Sequence, residues 1–510
     1  MEKQTRIHNV LTYLRQIVVR KPEKTAYSDG EVSLSFREVY DRACRIGTFL
    51  HNHAIYKRPV VVFMRKSPEE VSAFFGIISG GCFYVPIDEE MPKDRIQLIL
   101  NNVQSPLIIC DDNTVAVAKS FEIADSNIVL YDELLETQPD QEALDEIYER
   151  AIDIDPIYIV FTSGSTGIPK GVAACHRSVI DYIEQLSEVL SFNENTIFGN
   201  QTPLYFDACL KELYPTLKFG ATTYLIPKKL FLQPVALLEY LNQYKINTIC
   251  WVVSALTMVS AFGTFDVVCP KYLHTIAFGS EVFPIKQFNR WRKAVPNATF
   301  TNLYGPTEGT GMCCYFRVDR EFAEGDVIPI GRPFPNREIL LLTEEGKRAD
   351  FGSEGEICIR GTAVTLGYYN DPQRTAKAFV QNPLNTAYPE LIYKTGDIGR
   401  YNSRGELVFV SRRDYQIKHM GHRIELGEVE ASANRVDAVQ MAACIYDTKK
   451  NKIILFFVGT CTDKELLASL KTKLPRYMLP GKLIRLDTMP LTANGKINRV
   501  ALKNNYENNL

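Results

Sequence analysis

Charge of one sign, long apolar runs and metal-type cysteine spacing are all missing from this 510-residue chain. Lys plus Arg number 58 and Asp plus Glu 60, leaving a formal net charge of −2 and no overall electrostatic footprint for nucleic acid. The longest uncharged stretch, residues 71–87, is broken by Gly80, Gly81 and Pro86 and falls short of the ~20 apolar residues that a membrane span needs. It reads as a buried helix, a glycine break and a buried strand. The first twenty residues carry Lys3, Arg6 and Arg15 but no apolar core, so they do not form a secretory signal. The twelve cysteines are scattered, which predicts reduced, mostly buried thiols in a cytosolic protein. His176, His419 and His422 are not spaced as metal ligands and are read as structural or surface groups. Asn297-Ala-Thr299 matches a glycosylation acceptor only by chance in such a chain.

What is present is ordinary globular composition, 45% hydrophobic and 23% charged, long enough for roughly three domains. Helical and strand-like patterns alternate. Residues 36–51 and 68–79 read as helices, residues 58–65 and 154–161 as strands, and residues 101–109 as strand in their second half only. This predicts α/β layers with largely parallel sheets. From Glu354 short strands and turns suggest an antiparallel or barrel-like region. A last unit of about a hundred residues reads as helix at 425–436, strand at 452–458 and helix at 462–474. The expected boundary lies between residues 412 and 414.

The strongest local feature is a β-branched strand running into Thr162-Ser-Gly-Ser-Thr-Gly-Ile-Pro-Lys170. Glycines let backbone N–H groups approach an anion, hydroxyls add donors and the lysine adds charge. By itself such a loop is either a phosphate cradle or a flexible linker, and it lacks the Gly-Lys-Ser/Thr ending of the usual P-loop. The strand before it and the Pro-Lys-Gly after it favour the cradle.

This loop is similar to the signature of the adenylate-forming superfamily, which includes acyl-CoA synthetases, luciferases and the adenylation domains of nonribosomal peptide synthetases. Further motifs follow in the superfamily's order: Tyr84-Val-Pro-Ile-Asp88, Asn302-Leu-Tyr-Gly-Pro-Thr-Glu308, Gly355-Glu-Ile-Cys-Ile-Arg-Gly361, Tyr393-Lys-Thr-Gly-Asp397, Arg412-Arg-Asp414, Gly421-His-Arg-Ile-Glu425 and Asn494-Gly-Lys496. The resemblance implies an α/β fold. A large N-terminal domain (1–412) of α/β layered subdomains plus a distorted β-barrel would be followed by a small mobile α+β lid (413–510), with the hinge at Asp414. Here the chain has Ser411 where the superfamily usually has glycine.

The resemblance also implies chemistry: a carboxylate attacks the α-phosphorus of ATP, and a thiol then attacks the acyl-adenylate. Thr162, Ser163, Gly164, Ser165, Thr166, Gly167 and Lys170 would hold the β- and γ-phosphates. Thr307 would touch the α-phosphate and Glu308 would ligate Mg²⁺. Tyr304 would stack on adenine, with Asn302 and Gly279, Ser280 and Glu281 near the base edge. Asp397 and Arg412 would take the ribose. Lys496 would bridge the substrate carboxylate and the α-phosphate, and Lys418 would belong to the second half-reaction.

Phe206 and Asp207 bear on the substrate. Asp207 either caps the helix that follows or pairs with the α-ammonium of an amino acid; the resemblance favours the second. Ala208, Lys211, Val253, Ile276, Phe278, Leu303, Gly311 and Met312 fall where the superfamily's side-chain pocket lies, with Phe278 shortening it. Lys211 could reach an acidic substrate, pair with a nearby carboxylate or point to solvent, the default for a lysine. The layout also resembles stand-alone D-alanine–carrier-protein ligases, which show methionine and cysteine at the positions of Lys211 and Phe278. Eleven residues follow Arg499, so the phosphopantetheine-bearing carrier protein is expected in trans. The expectation is a cytoplasmic, amino-acid-adenylating ligase using ATP and Mg²⁺, with no nucleic-acid or membrane partner. The rivals are an acyl- or aryl-CoA ligase and a catalytically silent binding protein.

Overall fold

The computed structural model describes residues 7–164, 168–413, 416–491 and 497–508. The chain divides into two compact units. The first comprises Met1–Glu89, Gln104–Val160 and Gly171–Arg413, and the second Glu90–Val103, Phe161–Lys170 and Asp414–Leu510.

In the first unit, strands such as Pro59–Phe63, Thr248–Val252 and Thr275–Gly279 are buried at every residue, so each must be covered on both faces. Parallel sheets flanked by helices provide that cover. One sheet has nine strands. Its six central ones are parallel in the order Thr299–Tyr304, Thr275–Gly279, Thr248–Val252, Ile197–Asn200, Thr222–Leu225 and Thr25–Ser28, with antiparallel strands at both edges. A second sheet of seven strands is parallel from Pro156–Thr162 through Phe83–Pro86, Pro59–Phe63 and Ile108–Cys110 to Ile128–Leu130. The helices Leu11–Arg20, Phe36–Asn52, Pro68–Ser79, His176–Leu190 and Leu210–Phe219 share one apolar cluster with side chains of both sheets. A separate cluster fills the other face of the nine-stranded sheet beneath Pro234–Gln243, Val253–Ala261 and Ile285–Ala294. The predicted barrel-like region is a five-stranded antiparallel half-barrel, and it starts earlier than Glu354, at Arg337–Leu342.

Local signals place the helix starts. Ser35 and Glu38 form a capping box before Phe36–Asn52, and Ser67 caps Pro68–Ser79 with proline at the first helical position. The uncharged stretch at 71–87 is the expected helix, glycine break and strand Phe83–Pro86. No helix among the described residues is long and apolar enough to cross a membrane. All twelve cysteines are free thiols, and only Cys269 is exposed.

The second unit contains a hairpin (Gln416–His419 with His422–Glu425), the helix Leu426–Asn434, the pair Val439–Asp447 and Lys452–Gly459, and the helix Asp463–Lys473, which opens on a Thr462–Glu465 capping box. Ile424, Leu426, Val429, Leu455 and Leu466 form its core.

Candidate active site

At the C-terminal end of strand Thr299–Tyr304 the chain turns sharply through Gly305. A Cβ there would fall 2.4 Å from the Gly311 carbonyl oxygen and 2.6 Å from the Met312 Cα. Glycine is therefore what lets residues 305–313 fold back on themselves, closed by the Cys313 N–H donating to the Tyr304 carbonyl at 2.7 Å. Thr307–Gly309 makes a 3₁₀ turn, and Thr310 holds a left-handed conformation at φ 51° while its hydroxyl donates to the Ala363 carbonyl. A strained non-glycine backbone held by its surroundings is a recurring feature of functional sites.

This loop carries two carboxylate contacts. Glu308 is fully buried, not a surface glutamate, and the Tyr368 hydroxyl donates to its Oε1 at 2.7 Å. Asp207 accepts from the Gly311 N–H at 3.1 Å and from the Thr307 hydroxyl at 3.3 Å. It does not cap a helix: the 3₁₀ turn Asp207–Cys209 and the helix Leu210–Phe219 begin without any side-chain cap. Burial raises the Asp207 carboxyl above its ordinary range, and the nearby Glu308 charge adds to the rise, while the Gly311 N–H and Lys211 oppose it.

A second constellation involves the half-barrel. Asp397 pairs across the strands with Arg412, and their side chains form an ion pair. Arg412 also donates to the Thr395 carbonyl at 3.2 Å. The Tyr304 hydroxyl donates to Asp397 Oδ2 at 2.5 Å. Burial first, and then the Asp397 charge, push the Tyr304 hydroxyl far up, so it stays a donor. The family resemblance implies adenine for Tyr304 and ribose for Asp397; the structure brings the two side chains into direct contact. Asn302 donates to the Pro329 carbonyl at 2.8 Å, and Glu281 accepts the Ser254 N–H at 2.8 Å. Gly279 ends the strand Thr275–Gly279, and Ser280 follows it at φ 70°.

The pocket residues divide. Leu303 and Met312 lie in the cluster shared with helices His176–Leu190 and Leu210–Phe219, as do Cys250 and Ala277. Ile276, Phe278 and Val253 lie in the other cluster. The Phe278 ring packs on Phe283 and Phe288. Strand alternation explains the split, since Ala277 and its neighbours Ile276 and Phe278 face opposite sides of the sheet. Phe206 packs its ring against Tyr205, and Ala208 sits in the 3₁₀ turn. Lys211 does not point to solvent; it is 3% exposed.

In the second unit, Thr162, Ser163 and Lys170 are buried. The Ser163 hydroxyl donates to the Arg423 carbonyl at 2.7 Å, and the Gly164 N–H donates to Glu428, a buried carboxylate that also pairs with Arg95. Lys418 lies on the hairpin strand Gln416–His419, whose turn holds Met420 and Gly421 at positive φ. Ser165, Thr166, Gly167, Asp414 and Lys496 lie outside the described residues.

Sequence reasoning missed Tyr368, Glu428 and Arg337. Arg337 donates to the Met312 carbonyl and pairs with Asp181 at 3.2 Å, fixing the end of the 305–313 loop. None of the three carries a local signal. Each reaches its partner across at least 25 residues.

Two sequence profiles match the chain: AMP-binding enzyme over residues 14–369 and AMP-binding enzyme C-terminal domain over residues 428–496. A D-alanine–D-alanyl carrier protein ligase of Bacillus licheniformis is 30% identical over 96% of this chain and 98% of its own length. Surfactin synthase subunit 2 of Bacillus subtilis is 32% identical over 95% of this chain. The chain spans only 13% of that relative and 9% of bacitracin synthase 1. Among solved structures, the Vibrio cholerae adenylation domain AlmE in complex with glycyl-adenosine-5'-phosphate superposes with a TM-score of 0.83, at 21% identity and over 99% of both chains, a likeness of fold. Matched by both profiles in chain order, and by a relative 30% identical over nearly all of both chains, this chain belongs to the AMP-binding enzyme family.

Proposed function

We propose that this enzyme adenylates an amino acid with ATP and then transfers the aminoacyl group to the phosphopantetheine thiol of a separate carrier protein. In the first step a carboxylate oxygen bonds to the α-phosphorus and pyrophosphate leaves. In the second the thiol sulfur bonds to the acyl carbon and AMP leaves. The observation that carries the reading is Asp207, a buried carboxylate held by the Gly311 N–H and Thr307 hydroxyl, on the loop that also carries Glu308. A carboxylate so placed complements an α-ammonium group and has no use for an apolar acyl chain.

Other roles follow from chemistry. Thr307 would orient the α-phosphate, Asp397 and Arg412 the ribose, and residues 162–170 the β- and γ-phosphates. No group of three or more acidic, histidine or cysteine side chains suited to hold a metal occurs among the described residues. Glu308 with its Tyr368 partner fits Mg²⁺ as a single protein ligand to an ion carried mainly by the triphosphate, which is how Mg²⁺ commonly binds. Bound there, Mg²⁺ would neutralise phosphate charge. Residues 1–412 would act as the core and 413–510 as a lid hinged at Asp414. The enzyme would work in the cytoplasm, where ATP and reduced thiols coexist.

The test is amino-acid-dependent ATP–pyrophosphate exchange. Wild type is expected to exchange with at least one amino acid, and Asp207→Asn to lose about 10²–10³-fold in kcat/KM. Turnover only with a simple carboxylic acid and CoA would make this a CoA ligase, and no turnover at all a binding protein.

A further inference from the structure

The anion-binding donors at the start of the 162–170 loop are occupied by the protein itself. The Gly164 N–H donates to Glu428 Oε2 at 3.2 Å. The Ser163 hydroxyl donates to the Arg423 carbonyl at 2.7 Å and accepts the Glu425 N–H at 3.2 Å, so it is engaged both as donor and as acceptor. The other Glu428 oxygen pairs with Arg95 of helix Lys93–Val103. Glu428 is 1% exposed and Arg95 4%, and all of these residues belong to the second compact unit. Beside them the Thr162 hydroxyl is buried with no hydrogen-bond partner among the described residues. Packing alone does not account for this arrangement. Glu428 stands in the first turn of helix Leu426–Asn434, where the helix dipole favours a carboxylate, but that preference holds equally in water. Arg95 gives it a counter-ion, yet a buried ion pair is no more stabilising than apolar side chains of the same size. Neither effect asks for a backbone N–H from a loop whose glycines and hydroxyls suit a phosphate.

We propose that the Glu428 carboxylate stands in for a phosphate: it competes with ATP and pyrophosphate for the Gly164 N–H and so sets how tightly the loop holds either. The inference rests on the phosphate-binding reading of residues 162–170 and names what competes with that binding. Carboxylate and phosphate oxygens are equivalent acceptors for an N–H. One N–H points at one of them, and two anions brought to the same donor repel. A phosphate therefore binds there only once Glu428 withdraws. The Ser163 hydroxyl likewise donates to a phosphate only by releasing the Arg423 carbonyl. The apparent affinity for the phosphates is then the intrinsic one reduced by the fraction of molecules whose loop is free. Once pyrophosphate has left, the returning carboxylate opposes its re-entry. Glu428 is thus a positioning residue, which acts through the loop and touches no reacting atom.

The experiment measures dissociation constants of ATP and of inorganic pyrophosphate by calorimetry on the full chain. Wild type is compared with Glu428→Gln and with the double variant Arg95→Met, Glu428→Leu. Both variants remove the competing carboxylate and are expected to tighten both ligands by about tenfold, whereas damage to the fold would weaken them. The double variant also removes the cation that the single one leaves behind, so tightening in it comes from the lost carboxylate. Unchanged or weaker binding in both variants, with Lys170→Ala weakening ATP, overturns the inference and leaves the loop's role intact. If Lys170→Ala binds both ligands like wild type, the phosphate reading of the loop falls and the inference with it. Wild type supplies a second readout that needs no variant to fold. Saturating pyrophosphate should speed amide hydrogen exchange in residues 423–428, because the Glu425 N–H loses its Ser163 partner. Exchange that stays the same or slows with pyrophosphate bound means that the phosphate enters without displacing these contacts, and the proposal fails.

Discussion

His176, the first residue of helix His176–Leu190, accepts the Val10 N–H on Nδ1 at 3.2 Å, so Nε2 carries its proton. The ring is 3% exposed, and burial pushes its pKa down to about 3. His8 pushes the same way, while Asp153 and Asp155 oppose both. Its seat at a helix N-terminus also disfavours a cation. The unfolded chain takes up this proton below about pH 6.5, whereas the folded chain resists until about pH 3. The unfolded state therefore binds more protons in that window, and stability falls as pH falls through it. Between pH 7 and pH 5 the loss from this group amounts to about 2 kcal/mol. Asparagine at 176 keeps an acceptor for Val10 without titrating. Urea denaturation of His176→Asn should show a flatter pH dependence over that range; an unchanged slope would assign the acid sensitivity elsewhere.

At the scale of one element, the segment 304–313 shows how a loop becomes a site. Gly305 permits the fold-back, the 3₁₀ turn aims Thr307 and Glu308, and Arg337 grips the far end through the Met312 carbonyl. The Gly311 N–H then has one place to point, which is Asp207. Since a Cβ at 305 meets backbone atoms, relief requires the loop to move. Gly305→Ala should lower stability by about 2 kcal/mol in thermal or urea unfolding. It should also raise KM for the amino acid, because the displaced N–H no longer aligns Asp207. Wild-type KM in a stably folded variant would show that the loop does not position the carboxylate.

On the scale of the whole molecule, two lysines of the last hundred residues, Lys418 and Lys496, would divide the two half-reactions between them. Lys496→Ala in the full chain should reduce pyrophosphate exchange by about 10²–10³-fold, since its charge would be spent on the adenylation transition state. Lys418→Ala should leave exchange near wild type and slow aminoacyl transfer to the carrier thiol. Equal losses in both steps for both variants would remove the division of labour.

Patterns of short range were legible in the sequence. Helical patterning marked the helices Phe36–Asn52, Pro68–Ser79 and Asp463–Lys473, because contacts within a turn and the next few residues decide them. The motif order gave the family and named Asp207, Glu308, Tyr304, Asp397 and Arg412, which the fold gathers into two hydrogen-bonded constellations. Direction and depth were not legible. Asp207 can cap a helix or face a loop, and only the return of residues 307–311 from a hundred residues away chooses the loop. Lys211 reads as solvated because lysine usually is, and only the stacking of its helix on the sheet buries it. Phe278 looks like a neighbour of Leu303, yet strand register and alternation place it on the opposite face. Sequence fixes which groups exist and how they are spaced along the chain; tertiary packing decides which of them lose water and meet, because desolvation and pairing depend on neighbours that local spacing does not encode.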